Sequence, residues 1–322
     1  MTTPAITRRA LGALGLGLAA PAVAQQPARS IRFVVPWPPG GLNDVIARTF
    51  NDRVSRLLGQ TIVNDFKAGA GGRIGVAEVA RAAPDGLTIG MGNLGPLTIF
   101  PNLYRDMPFD VARDLAPITM FAASPLVLVV AKDAPAQTIG ELVALARAQP
   151  GRLNYASVGV GTAQHLIFEM LRGQDGVQME HVPYRGNADS LIALLQNDVQ
   201  AMFDTLPTML PPLRDGRVRA LAVTTPTRVP QLPDVPTLKE SGLDIDVATW
   251  YAVIAPARTP EPVLTTLYDT YTRVSLMPEV QAFLAEQGLI YLPNTRAEFA
   301  ARIAAETARW GQIIRDRGIS VT

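Results

Sequence analysis

Apolar residues recur along the chain in two rhythms. Runs of period two or of continuous apolar character at 31–35, 62–66 and 87–91 read as strands, and between them the spacing stretches to three and four. Residues 42–58 carry apolar side chains at Val45, Ile46, Phe50, Val54, Leu57 and Leu58, the stripe of an amphipathic helix, and 74–82 reads as a second helix. Strand alternating with helix predicts parallel sheets covered by helices. After 116–122, the run 125–131 is apolar throughout, as expected of a strand buried on both faces. A second alternation predicts helix 139–148, strand 153–157, helix 162–171, strand 179–182, helix 188–196 and strand 201–203. It closes at strand 220–224 and the proline-rich stretch 226–236. The C-terminal part is expected to be helical over 262–276, 278–287 and 296–317. One further apolar run, 250–255, would carry the chain between two lobes a second time if it paired with 125–131. Two such crossings suit a hinged cleft that closes on a ligand.

The first 24 residues follow neither rhythm. Thr7-Arg8-Arg9-Ala10-Leu11, an apolar run over 10–20 and Ala22-Val23-Ala24 form an export signal of the twin-arginine type ending at a small-residue cleavage site. The apolar run is too short for a membrane core that needs about 20 residues. With no cysteine after the cleavage site for a lipid, no membrane anchor is expected and the mature chain is placed in the periplasm.

Composition narrows the chemistry. A chain of 322 residues, 48% hydrophobic and 18% charged, has the apolar content for about two packed domains. Its net charge of +1 offers no field for nucleic acid. Zero cysteines exclude disulfides, thiolate zinc sites, iron-sulfur clusters and thiol nucleophiles, and the histidines are His165 and His181 alone. No metal or cofactor is expected.

What remains is glycine-rich turns. Pro36-Trp37-Pro38-Pro39-Gly40-Gly41-Leu42-Asn43-Asp44 leads from the first strand into the first helix, and Ser157-Val158-Gly159-Val160-Gly161-Thr162 repeats that geometry in the second half. Glycines admit close approach, and a helix start offers N–H groups at the positive end of a dipole. One such turn per lobe would clamp a small carboxylate. Either turn would equally serve tight strand-to-helix packing. Gly90-Met91-Gly92-Asn93-Leu94-Gly95 matches the dinucleotide fingerprint in letters, but Pro96 and Pro101 are expected to prevent the helix that fingerprint needs, which leaves a loop beside the cleft. Ser157 lies in a partial nucleophile elbow, Tyr155-Ala156-Ser157-Val158-Gly159. A secreted serine hydrolase is therefore the alternative reading, weakened because no histidine follows His181. Trp37 and Trp250 would be cleft walls or core aromatics.

Taken in order, these motifs resemble the Bug-type extracytoplasmic solute receptors of tripartite tricarboxylate transporters. They are PWPPGGLND at 36–44, AGAGGRIG at 68–75, APDG at 83–86, LNYASVGVGTAQHL at 153–166, HVPYRG at 181–186, MFDTLP at 202–207, GRVRALAV at 216–223 and LPDVPTLKESGL at 232–243. The resemblance implies an α/β type II periplasmic-binding fold, two lobes joined by two crossing strands with a ligand cleft between them. Lobe 1 would comprise 25–125 and 254–322 and lobe 2 126–253, with crossings near 125–131 and 248–255. It implies a monomeric receptor with no catalytic residue, which passes a small carboxylated ligand to membrane permease subunits. Implied ligand contacts are Pro39, Gly40 and Gly41 with Asp44; Gly92 and Asn93; Ser157, Gly161, Thr162 and His165; Tyr184, Arg185, Gly186 and Asn187; and Asp204 with Thr205, beside Trp37. The chain departs from the pattern at Pro96-Leu97, where many members have Thr-His, at Phe66-Lys67-Ala68, where they have Asn-Arg-Pro, and at Ala163, where serine is common. Fewer polar groups point to a less polar ligand.

Overall fold

The computed structural model describes residues 29–321 except Gly176 and Arg185, and leaves out the side chains of Gln174 and Asp175. The export segment at 1–24 and the expected ligand contact Arg185 thus lie outside the described residues. The elements in chain order are β1 Ile31–Val35, α1 Leu42–Leu58, β2 Ile62–Phe66, α2 Arg73–Arg81, β3 Thr88–Asn93, α3 Phe100–Leu103, α4 Val111–Asp114, β4 Leu115–Ala131, α5 Ile139–Ala148, β5 Leu153–Ser157, α6 Ala163–Asp175, β6 Met179–Pro183, α7 Asn187–Leu195, β7 Ala201–Thr205, α8 Leu206–Arg214, β8 Val218–Val223, β9 Ala248–Pro256, α9 Glu261–Ser275, α10 Pro278–Glu286 and α11 Arg296–Asp316.

The strands form two α/β lobes that share β4. In the first, β1 lies parallel between β2 and β3, and β9 runs antiparallel between β3 and β4. In the second, β5 lies parallel between β6 and β7, and β4 runs antiparallel to both β7 and β8. The sheets are therefore mixed, because the strands that join the lobes run against their neighbours. β4 changes partners midway: Leu115 to Pro125 pair with β9, and Leu126 to Ala131 with β7 and β8. This corrects the expected pairing of 250–255 with 125–131. The two apolar runs flanking Ser124-Pro125 are one strand, and it is the earlier run that meets β9. Pro125 stands at the changeover, a place where a missing N–H costs the ladder least.

Burial follows the two rhythms. Leu126 to Val130 are fully buried, as a strand covered on both faces requires. On α1 the buried stripe is Ile46, Ala47, Phe50 and Val54, while Val45 and Leu57 face solvent. The helix ends at Gly59, whose φ of +63° closes the last turn in the left-handed conformation. α11 begins with a reciprocal capping box between Thr295 and Glu298 and packs against α3 and β4 and also against α6 of the second lobe. A continuous apolar cluster runs through both sheets, from Val34 through Leu126 and Phe168 to Trp250 and Trp310.

Candidate functional site

Because β1 and β3 are parallel in one sheet and β5, β6 and β7 in the other, the turns leaving their carboxyl ends gather at one edge of each sheet, where open α/β sheets bind ligands. In the first lobe Gly40 takes a φ of +86°, and its N–H donates to Asp44 Oδ2 at 2.9 Å. Asp44 Oδ1 accepts from Arg48 Nε at 2.5 Å, and the carboxylate is buried. Asp44 is thus spent on holding its own turn. Pro39, Gly40 and Gly41 are exposed, and Trp37 is half-buried.

Gly92 owes its identity to packing: a Cβ there would lie 2.5 Å from Leu97 Cδ1. Asn93 keeps a buried Oδ1 with no hydrogen-bond partner. Beyond it the expected loop is helical. A π-helical stretch, Gly95–Ile99, runs straight into α3. Pro96 sits in its first turn, where an N–H has no intrahelical acceptor, and the wider π turn accommodates Pro101 at the start of α3. Pro96 and Leu97 are buried, turned into the first lobe.

The second lobe holds a compact hydrogen-bonded cluster. Ser157 Oγ lies 2.6 Å from His181 Nε2, donates to Gly159 O at 3.0 Å and accepts from Gly159 N at 3.1 Å. Thr162 Oγ1 donates to Gly159 O at 2.8 Å, and Gly161 N donates to His165 Nδ1 at 3.1 Å. That bond puts the His165 proton on Nε2, which faces Glu169 Oε1 at 3.8 Å. His165 stacks on His181 with ring centroids 3.9 Å apart, and His181 stacks on Tyr155 at 4.9 Å. Burial lowers the pKa of both histidines, that of His181 to about 4 with help from neighbouring His165. Glu169 accepts from Tyr155 Oη at 2.9 Å and from Arg172 Nη1 at 2.8 Å. The sequence reading missed Tyr155, Glu169 and Arg172. His165, Glu169 and Arg172 recur at helical spacing, and that spacing was the available signal.

Tyr184 N donates to Ser157 O at 2.8 Å, which ties the next turn to the first. Asn187, which follows the helix cap Gly186, donates its amide to Asp204, and Thr205 N donates to Asp204 Oδ1 at 2.6 Å. Asp204 is fully buried, and burial lifts its carboxyl to about 6 against the pull of these donors. Thr205 Oγ1 bonds Thr208 Oγ1 at 2.8 Å at the start of α8, a helix with three prolines that the sequence reading omitted. Trp250 belongs to the core: its ring is buried, and Nε1 donates to Glu306 Oε2 at 2.8 Å.

The lobes meet at Gly161, where a Cβ would fall 2.0 Å from Leu103 Cδ2. Beside this contact a cavity of about 470 Å³ is lined by Gly71, Phe100 and Tyr104 from one side and Gly159 and Thr162 from the other. A groove of about 930 Å³ between the α3–α4 region and α11 contains none of the residues expected at the site.

Two α/β lobes on a shared strand, with a turn of each lining one cavity, at Gly71 in the first and at Gly159 in the second, define a solute-binding protein of the periplasmic type. The model of the tripartite tricarboxylate transporter family receptors matches residues 46–319, and the chain belongs to that family. It is 35% identical over 307 residues to Protein BugT of Bordetella pertussis, covering 94% of each chain. Among solved structures it is similar to Rpa4515 of Rhodopseudomonas palustris with adipate, at 33% identity and a TM-score of 0.81 over 92% of this chain and 99% of that one. It is also similar to MatC from the same organism with bound malate, at 29% identity and a TM-score of 0.77 over 89% and 99%. The chain is accordingly a receptor and not an enzyme. The Ser157–His181 pair fits that conclusion, since the carboxylate of the cluster, Glu169, engages Tyr155, Arg172 and His165 instead of completing a triad.

Proposed function

We propose that the chain is exported by its twin-arginine segment, works as a free monomer in the periplasm, captures a small organic carboxylate in the interlobe cavity and delivers it to the permease of a tripartite tricarboxylate transporter. The observation that carries the reading is the convergence of turns from both lobes on one cavity, at the contact of Leu103 with Gly161. The adipate and malate in the two neighbouring structures support the ligand class. We take lobe 1 as 25–125 with 254–322 and lobe 2 as 126–253. The carboxylate is held chiefly by amides at the start of α6, with Thr162 shaping the turn.

The test is a thermal-shift screen of organic acids beside their amides, repeated on Thr162→Ala and Arg185→Ala. Charge-assisted hydrogen bonds contribute about 1.5–3 kcal/mol each, and a ligand at 1,000 times its Kd stabilises by about 4.1 kcal/mol. Acids should raise Tm by several degrees and amides should not. Equal shifts from acid and amide overturn the carboxylate reading. Loss of binding in Arg185→Ala alone overturns the backbone-amide mechanism.

A further inference from the structure

Apolar side chains form the larger part of the interlobe cavity's wall. Phe100 and Tyr104 line its first-lobe side and Val158 and Val160 its second-lobe side, against the hydroxyls of Tyr104, Thr162 and Ser320. Phe100 and Tyr104 stand one helical turn apart and meet edge to face, with centroids 5.3 Å apart at 85°, so each fixes the other's orientation. Val160 is 36% exposed, an apolar side chain that the fold leaves uncovered at this surface.

Polar groups suited to a hydroxylated or multiply charged acid are directed elsewhere. Asn187 donates its amide to Asp204, and Lys67 pairs with Asp65 at 3.5 Å beside the edge strand β2. One cation remains close: the Arg73 guanidinium lies 3.7 Å over the Tyr104 ring, its Nε donates to Ala70 O at 3.1 Å, and it has no carboxylate partner among the described residues. A cation stacked on the wall adds attraction for an anion without adding a polar surface to the cavity.

We infer that this cavity takes the apolar body of an organic acid, an aryl ring or an alkyl chain of about four to six carbons, in preference to a compact hydroxylated diacid; this deepens the carboxylate-receptor reading and rests on it. The volume of about 470 Å³ is ample beside the ~150 Å³ that holds a benzene ring. Each buried methylene should strengthen binding about fourfold.

The experiment is calorimetric titration of the purified protein with benzoate, hexanoate, malate and benzamide. At least one of benzoate and hexanoate should bind tenfold or more tightly than malate, and the comparison of those two separates ring from chain. Val160→Asn, a neutral polar change at a partly exposed position, and Tyr104→Ala should each weaken the preferred apolar acid tenfold or more while changing malate less than threefold. Arg73→Gln should weaken every acid. Malate binding as tightly as both apolar acids overturns the inference, and so does an unchanged affinity in Val160→Asn, which decides the matter should Tyr104→Ala fail to fold. Benzamide equal to benzoate would instead sink the carboxylate reading, and absence of binding by every acid would sink both.

Discussion

His181 should oppose the folded state as pH falls, and His181→Gln should remove that contribution. Burial and the stacked His165 hold the His181 imidazole at about 4 in the folded chain, against an ordinary 6.5. The folded value is the lower one, so the unfolded chain takes up the proton first, and stability is lost as pH falls from 6.5 towards 4. Two-state linkage with these values gives a cost of about 0.2 kcal/mol at pH 7 and about 2 kcal/mol at pH 5. Solvent reaches part of the ring, which reduces the second figure to about 1–2 kcal/mol.

Asp204 works in the opposite direction. Its carboxyl is lifted from 3.8 to about 6, so the folded chain binds that proton first, and acidification from pH 7 to 5 restores about 1.3 kcal/mol. The two groups nearly cancel in the natural sequence. His181→Gln keeps a planar group able to bond Ser157 but cannot titrate. Its change in unfolding free energy between pH 7 and 5 should therefore be more favourable than that of the parent by about 1–2 kcal/mol. Urea unfolding at the two pH values measures this, provided the m-value is unchanged. Identical pH slopes in the two proteins, or an NMR titration of His181 near 6.5, would refute the reasoning.

Gly161→Ala combines a φ of +76° with a methyl 2.0 Å from Leu103 Cδ2, so it should lower Tm and weaken acid binding. Adding Leu103→Ala should recover binding more than Tm, because it relieves the clash and not the backbone strain; no recovery of either would count against a contact between the lobes at this point. Trp250→Phe should cost about 1–3 kcal/mol in thermal or urea unfolding by removing the indole donor to Glu306 Oε2, which leaves that half-buried carboxylate, its pKa already raised by burial, with Arg302 as its remaining partner. Ligand-dependent fluorescence should survive that change and vanish in Trp37→Phe, since Trp37 is half-buried at the turn while Trp250 lies in the core; the reverse pattern would place the signal in the core.

Periodicity made most of the fold legible. The segments 31–35, 42–58, 62–66, 139–148 and 153–157 could be read to the residue because each carries one uninterrupted rhythm bounded by glycine, proline or a cap. Prolines caused the losses. Pro96 and Pro101 argued against a helix that forms all the same, because proline in a first turn gives up no intrahelical bond; α8 begins with Pro207 in the same way but carries Pro211 and Pro212 in its interior. The apparent break at Ser124-Pro125 concealed a single strand shared by two sheets. At the site, the turns were visible as glycine patterns, but the direction of each side chain was not. Asp44 caps its own turn and Gly92 makes room for Leu97, roles that the glycine pattern did not show.

These directions also rank the helix starts that follow the carboxyl ends of the strands. The first turn of α1 carries Asp44, whose carboxylate already engages the Gly40 amide and Arg48, so its positive end is largely neutralised. α7 has Asp189 in its first turn, and its leading residue Asn187 is committed to Asp204. α8 places Pro207 where an amide would be needed. α6 differs from all three: its first turn has no acidic residue, and Ser157, Thr162 and His165 bond the preceding turn without introducing a negative charge. The symmetrical clamp expected from two similar glycine-rich turns is therefore unequal. A carboxylate should therefore engage the start of α6 in the second lobe more strongly than the first lobe, whose expected part is the aromatic wall and Arg73.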